Sequence, residues 1–203
     1  VTSSAKRGVR LMNGGKLPLN GLTIATPHTA YIQGDYNTGT EGTTKPASNT
    51  TTQYTPPADN PSPWVSGYDH ANRPAAVIAD AVNILSNAWN DANSPNAKTS
   101  RVSSNTTVNC AILAGNVPST SASYSGGIEN FVRLHENWSS KYLTIKGALA
   151  LLYSSTEALG GWSSASYDAP NRRWYYDDSF QQKTPPGFRY ARSFERGMWV
   201  SHP

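Results

Sequence analysis

The densest group of chemically competent side chains lies in segment 129–137, which contains Arg133, His135 and Glu136. If this segment is a strand, alternate side chains lie on opposite faces, so Arg133 and His135 share one face and Glu136 lies on the other. A histidine beside an arginine and carboxylates can act as an acid or a base in glycan chemistry. The alternative interpretation is a hydrogen-bonded row that orders a turn.

Two aspartates form a second group of candidates. Asp35 and Asp80 each follow a short apolar segment that has the composition of a strand. Paired carboxylates carry out acid–base catalysis or hold calcium in many proteins that cleave carbohydrates. Aspartates at strand ends also cap the backbone of turns, which is the alternative here. No phosphate-binding loop, nucleophile motif or zinc spacing accompanies these candidates in the sequence.

Aromatic side chains offer a third kind of site. Flat rings in segments rich in Gly, Ser and Asn can stack against sugars or against a protein partner. The candidates are Trp64, Trp162, Trp174, Tyr175 and Tyr176. The alternative is that the same rings pack inside the protein.

The sequence gives no indication of a metal site or a cofactor. The four histidines are far apart in sequence, and we expect no cofactor and no bound metal. Cys110 lies in an apolar segment, where a cysteine is typically a small buried side chain and not a nucleophile.

The elements that must position these residues are predicted to be short strands. Apolar segments with β-branched or aromatic residues alternate with turns rich in Gly, Asn, Asp and Pro, a pattern typical of strands. The predicted strands are 22–26, 30–34, 75–79, 82–85, 108–113, 143–147 and 148–153. Segment 74–92 also has helical features, but its Val, Ile and Asn residues favour strands.

Three of these segments end in a similar way, at Gly34, Gly115 and Gly147. A recurring short strand followed by a tight bend is typical of a β-solenoid. We therefore predict an all-β fold with a right-handed β-helix or β-solenoid-like body and long inserted loops. The spacing of the three glycines is unequal, so a β-sandwich is the alternative.

The chain is predicted to form a single β domain over residues 1–203. Residues 37–73 are rich in Thr, Asn, Gly and Pro and are predicted to be a long inserted loop. Residues 156–203 are rich in aromatic side chains and are predicted to be a C-terminal cap over the β body.

The order of several motifs carries a resemblance to a known group of proteins. The motifs are Gly21–Thr26, Tyr31–Asn37, Pro74–Asp80, Ile84–Asp91, Tyr124–Asn130 and Glu136–Trp138. Over nearly its whole length, the chain resembles a C-terminal domain of large bacterial envelope proteins that are similar to type IV pilus assembly proteins. The resemblance implies a surface location and a β-helical body, and it implies no catalytic residue.

Charge and hydropathy exclude other classes of protein. Only 15% of the residues are charged and the net charge is +4. The basic residues do not cluster, so we expect no nucleic-acid partner. The longest apolar run, 147–153, is far shorter than the roughly 20 residues of a membrane span. The chain begins at Val1 without a charged start and an apolar stretch, so we expect a signal peptide to be absent or already removed.

These features predict a noncatalytic, extracellular structural or adhesive module of a cell-surface or filament-forming protein in a bacterial envelope. The expected partners are copies of the chain itself, joined through strand edges, and surface glycans. The alternative is a protein that binds or cleaves carbohydrate.

Overall fold

The computed structural model describes residues 7–39, 73–181 and 183–189. The strands in these ranges are β1 (Gly8–Met12), β2 (Leu22–Ala25), β3 (Thr29–Gln33), β4 (Ala75–Ala79), β5 (Val82–Leu85), β6 (Thr106–Val108), β7 (Ala111–Asn116), β8 (Val132–Leu134), β9 (Tyr142–Gly147), β10 (Leu149–Ser154) and β11 (Asn171–Tyr176). The helices are short 3₁₀ turns at Asp91–Asn93, Lys98–Ser100, Ile128–Asn130 and Asp178–Gln181.

The strands form three parallel sheets. Sheet A has the order β1-β3-β5-β8, sheet B has the order β10-β7-β4-β2, and sheet C has the order β11-β9-β6. Parallel neighbours cannot be joined by a tight hairpin, because the chain must first return to the same end of the sheet. Described strands that follow each other in sequence therefore belong to different sheets. For example, β3 and β5 lie in sheet A, and β4, which comes between them in sequence, lies in sheet B.

Apolar side chains on the inner faces of the sheets form one core. In β3, Ala30 and Ile32 are fully buried, while Tyr31 on the opposite face is half-buried. All four residues of β5 are buried, as expected for a strand covered on both faces. The largest fully buried side chains are those of Trp138 and Phe131, so the core extends beyond the strands into the connecting segments.

The prediction of a β-rich chain is confirmed, but the prediction of a right-handed β-helix or β-solenoid is wrong. The described residues form three parallel sheets and show no closed solenoid. In sheet A, Gly8 pairs with Thr29 and Ala30 pairs with Val82, so the pairing offset changes from 21 to 52 residues. A solenoid of uniform coils would keep this offset nearly constant. The β-sandwich alternative requires antiparallel sheets, whereas every described strand pair is parallel.

The three glycines that suggested a repeat have unrelated roles. Gly34 follows β3 in sheet A and has a φ of +79°, which only glycine adopts readily. Gly115 lies inside β7 of sheet B, and Gly147 ends β9 of sheet C. A Cβ at Gly147 would lie 1.8 Å from the carbonyl oxygen of Cys110, so this glycine permits close backbone packing. Their similar sequences therefore reflect shared strand propensity and not a repeated coil.

Most of the predicted inserted loop, residues 40–72, lies outside the described residues, as do residues 190–203 of the predicted cap. The start of the loop is fixed by Asn37, whose φ is +56°. Its buried amide donates to the carbonyl oxygens of Arg73 and Asn109, each at 2.8 Å. Asn109 donates in return to the carbonyl oxygen of Asn37 at 3.1 Å. The bond to Arg73 connects the two ends of the segment. The reciprocal bonds with Asn109 tie them to the turn between β6 and β7.

Among the described residues, no helix has the length and apolar character needed to cross a membrane.

Candidate functional site

The outer face of sheet A carries a row of polar and aromatic side chains. The strand register aligns Arg10, Tyr31, Asn83 and Arg133 across the four strands. Asn83 and Arg133 are buried, with 4% and 3% of their surface exposed. Large polar side chains are rarely buried unless other residues cover them and bond to them. We therefore take the outer face of sheet A as the candidate site.

His135 lies directly after β8 and is surrounded by aromatic rings. Its ring centroid is 4.8 Å from that of Trp162 in an edge-to-face arrangement, and 6.3 Å from those of Trp89 and Tyr31. Burial, together with the positive charges of Arg101 and Arg133, lowers the pKa of His135 to about 4. The imidazole is therefore neutral at pH 7.

The hydrogen bonds of Asn83 define the tautomer of His135. The amide nitrogen of Asn83 donates to the carbonyl oxygen of Ala30 at 3.3 Å, so the amide oxygen is the acceptor that faces the imidazole. His135 Nε2 lies 2.7 Å from that oxygen and must carry the proton. In the neutral ring, Nδ1 is then an acceptor, and it has no hydrogen-bond partner within the described part of the chain.

Arg133 lies beneath Trp162. Its Nη2 donates to the side-chain oxygen of Asn116 at 3.1 Å and to the hydroxyl of Ser125 at 3.4 Å. Its guanidinium carbon is 5.2 Å from the centroid of the Trp162 ring, which is a cation–π distance. The side chains of Tyr167 and Asn130 are hydrogen-bonded to each other, and Asn130 also donates to the carbonyl oxygen of Trp162 at 2.8 Å. The loop that carries Trp162 is thus anchored over the site.

Glu136 points away from this site. It is 1% exposed, and its carboxylate accepts bonds from the backbone N–H and the hydroxyl of Ser86, both at 2.6 Å. Burial raises the pKa of Glu136, although its bonds to Ser86 and the charge of Arg101 act in the opposite direction. The structure therefore does not join His135 and Glu136 into an acid–base pair.

Asp80 holds a loop in place. Its carboxylate accepts the backbone N–H groups of Thr156, Glu157 and Ala158, and also the hydroxyl of Thr156. Burial alone would raise the pKa of Asp80, but these four bonds outweigh it and the pKa lies below its usual value. A carboxylate saturated in this way is an anchor and not a general acid.

Asp35 has a separate set of partners. Its side-chain oxygen accepts from the amide of Asn87 at 3.0 Å and from the backbone N–H of Thr107 at 2.9 Å. No described residue is bonded to both Asp35 and Asp80. The structure thus places the two aspartates in different turns, and neither takes part in the cluster around His135.

Of the predicted stacking residues, only Trp162 lies at the His135 cluster, and Trp64 lies outside the described residues. Trp174 and its neighbours Tyr175 and Tyr176 belong to β11, an edge strand of sheet C. Trp174 packs partly against the core, and the guanidinium carbon of Arg172 is 5.4 Å from its ring centroid. Tyr176 is 57% exposed.

Sequence reasoning missed Trp89 and Tyr31 as parts of the cluster, and it missed an apolar surface at the edge of sheet B. We call this surface the edge patch and define it as Tyr124, Ile128, Leu151, Leu152 and Tyr153, whose exposed fractions run from 41% to 59%. These side chains line a groove of about 720 Å³. The available signal was the run of apolar residues 149–153, which does not alternate with polar ones.

Within residues 7–39, 73–181 and 183–189, no three His, Cys, Asp or Glu side chains are arranged to hold a metal ion. Cys110 is fully buried, and burial raises the pKa of its thiol to about 12. A thiol with this pKa is protonated at neutral pH and is not a nucleophile.

Comparison of the chain with protein-family models, with curated proteins and with solved structures found no match.

Proposed function

We propose that this chain is a noncatalytic structural or adhesive module of a cell-surface or filament-forming protein, and that it associates with a second copy of itself through the edge patch. The observation that supports this proposal is the exposure of an uncharged, apolar edge strand. The surface location is supported by the sequence resemblance to domains of bacterial envelope proteins.

Three residues of the edge patch, Leu151, Leu152 and Tyr153, lie on β10, an edge strand of sheet B. An edge strand presents unpaired backbone groups that can pair with another strand. The register shifts between Leu151 and Tyr153, which leaves Leu152 as an extra residue in a β-bulge. As a result, three consecutive side chains of β10 line the same groove.

The edge strands β1 and β11 carry charges that discourage pairing, whereas β10, like β2 and β6, carries none and is the most exposed of these three uncharged strands. The edge of sheet A at β1 contains Arg10, which forms an ion pair with Asp91 at 2.8 Å. The edge of sheet C at β11 contains Arg172 and Arg173. Charged edge residues are a common protection against association. Their absence from β10 favours a role in assembly.

The edge patch is large enough to form the apolar centre of a contact between two copies, with surrounding residues supplying the remaining area. Its five side chains expose roughly 500 Å² of mostly apolar surface, which is the size at which such a patch indicates an interaction site. A stable interface buries about 800 Å² on each partner. A two-fold contact would use the same patch on both copies and would place the two β10 strands antiparallel to each other.

Sedimentation velocity over roughly 1–500 µM tests this contact, because the range covers weak and moderate dissociation constants. We expect the wild-type chain to form a dimer and Leu152→Lys to remain a monomer with unchanged circular dichroism. Leu19→Lys is the matched control, because Leu19 is 75% exposed and lies outside the edge patch. A wild-type monomer throughout this range, or equal effects of the two substitutions, would contradict the proposed contact.

The location is tested separately with an antibody raised against this domain. We expect the antibody to label intact cells that express the natural protein. Labelling only after the cells are lysed would contradict a surface location.

A further inference from the structure

We infer that the outer face of sheet A binds a sugar that carries a carboxylate, with the carboxylate on Arg133 and the sugar ring against Trp162 and Trp89. This inference uses a surface different from the edge patch and does not rest on the proposed assembly.

The first observation is a buried positive charge that lacks a counter-charge. Arg133 is 3% exposed, and no carboxylate in the described part of the chain forms an ion pair with it. Its Nη1 is buried without a hydrogen-bond acceptor among residues 7–39, 73–181 and 183–189. The neutral oxygens of Asn116 and Ser125 satisfy only Nη2. An unpaired buried cation is costly, and a ligand carboxylate would supply both the charge and the missing acceptor.

The second observation is an unused donor beside this charge. Trp162 Nε1 is also buried without an acceptor among the described residues. The indole lies over the guanidinium of Arg133, so the two unused donors belong to stacked groups. Two donors on neighbouring groups can serve the two oxygens of a carboxylate.

The third observation is a hydrogen-bond acceptor on His135, whose ring packs against Trp162. The neutral imidazole of His135 donates from Nε2 to Asn83 and retains Nδ1 as an acceptor. A hydroxyl group can donate to this nitrogen, whereas a second carboxylate cannot. The combination of a carboxylate and a neighbouring hydroxyl is characteristic of uronic acids and other acidic sugars.

Aromatic rings around His135 favour a sugar over a simple anion. Trp89, Trp162 and Tyr31 are each partly exposed, and all three contact the imidazole. Flat aromatic surfaces with a polar edge suit the C–H faces of pyranose rings. Inorganic anions have no such face and would make no use of these rings.

The loop that covers the site can admit a ligand without losing its anchors. The Trp162 backbone is fixed by its N–H, which donates to Tyr124 at 2.6 Å, and by its carbonyl, which accepts from Asn130. The indole itself makes no hydrogen bond within the described part of the chain. The indole packs against the core, so ligand entry requires this side chain to shift, and such a shift breaks neither backbone bond.

Isothermal titration calorimetry with a galacturonic acid trisaccharide tests the inference on the full chain. The comparison ligands are a neutral galactose trisaccharide and sodium acetate. We expect the acidic trisaccharide to bind and the two comparison ligands to bind at least about tenfold more weakly, because each lacks one part of the recognised group. Equal binding of the neutral sugar, or equal binding of acetate, would overturn the inference, and so would no binding of the acidic trisaccharide.

Two substitutions assign the binding to this site. Arg133→Gln removes the charge, and we expect it to weaken binding about 30-fold. Trp162→Phe keeps a ring but removes the indole N–H, and we expect a loss of about fivefold. Arg173→Gln is the matched control, because the guanidinium carbon of Arg173 also lies over an aromatic ring, 3.7 Å from the centroid of Tyr142, but on β11.

We expect Arg173→Gln to bind the acidic trisaccharide like the wild type. Binding that survives both Arg133→Gln and Trp162→Phe, or that falls equally in Arg173→Gln, would overturn the inference. Trp162→Phe keeps the test decisive if Arg133→Gln fails to fold. The sedimentation experiment on Leu152→Lys is independent, so failure of one proposal is distinguishable from failure of the other.

Discussion

Replacing Asp80 with asparagine tests how the turn between β4 and β5 holds the loop that follows β10. One carboxylate oxygen accepts from the backbone and the hydroxyl of Thr156, at 2.5 and 2.9 Å. The other accepts from the N–H groups of Glu157 and Ala158, at 3.0 and 3.1 Å. Asparagine keeps one acceptor oxygen and places an NH₂ group where the other oxygen was.

The expected cost follows from the two lost acceptor bonds. Hydrogen bonds to a charged group contribute about 1.5–3 kcal/mol each, and water can reach part of this half-exposed loop, so we expect Asp80→Asn to lower the free energy of unfolding by about 3 kcal/mol. The pKa of Asp80 in the folded protein lies below its ordinary value of 3.8. A carboxyl group of this kind stabilises the fold above that ordinary value, and the contribution is lost as the pH falls through the folded-state pKa.

Urea unfolding followed by tryptophan fluorescence measures both effects. The difference between the wild type and Asp80→Asn should be constant from pH 7 to about pH 5 and should shrink as the pH falls below 3.8. Glu157→Gln is the matched control in the same loop, because its carboxylate, on a side chain that is 26% exposed, is hydrogen-bonded to His28 alone among the described residues, at 2.6 Å. We expect this control to cost less than about 1 kcal/mol. A cost for Asp80→Asn no larger than that of the control, or a difference that does not shrink as the pH falls below 3.8, would refute the reasoning.

Two further predictions concern buried charges and use three substitutions. Because burial raises the pKa of Glu136, its ionisation weakens the fold as the pH rises through 4.5. In urea titrations, the free energy of unfolding of Glu136→Gln should therefore rise relative to that of the wild type between pH 4 and pH 7. A difference that does not change with pH would contradict this. Lys146 and Asp177 are buried with their charged atoms 3.9 Å apart, so Lys146→Met alone should cost about 3 kcal/mol. Lys146→Met combined with Asp177→Leu should cost less than the sum of the single changes in a double-mutant cycle, and strict additivity would show that the pair does not interact.

Strand positions were the most predictable part of the fold. The predicted bounds 75–79 and 82–85 are those of β4 and β5, because these apolar segments are short and bounded by turn residues. The predicted strand 108–113 is divided in the structure, since Asn109 and Cys110 form a turn between β6 and β7. Asn109 uses its amide to bind Asn37, which a local pattern does not reveal.

The arrangement of the strands was not predictable in the same way. The first half of β11, Asn171 to Arg173, is not typical of a strand, and the sequence predicts the whole segment as part of the cap, yet β11 pairs with β9 along six residues. Contacts with the neighbouring strand β9 stabilise β11. The guanidinium carbon of Arg173 lies 3.7 Å from the ring centroid of Tyr142 on β9. Tertiary contacts of this kind outweigh intrinsic propensity.

The candidate site was only partly visible in the sequence. Arg133 and His135 are close in sequence and were identified together. Tyr31, Trp89 and Trp162 join them only because the register of sheet A and two loops bring distant segments to one place. The charge of Arg133 became informative once its burial and its unused Nη1 were known.

The exclusively parallel pairing of the described strands also has a consequence for how the chain folds. Each paired residue in sheet A lies at least 21 positions from its partner, as Gly8 and Thr29 do. No strand pair can therefore form from a local hairpin, and each must first close a long loop at an entropic cost. Chains dominated by such distant contacts fold slowly, on a scale of about milliseconds to seconds. During that time the leucines of β10 are exposed in partly folded chains. The segment that we propose to join folded copies is therefore also the segment through which partly folded copies would first aggregate.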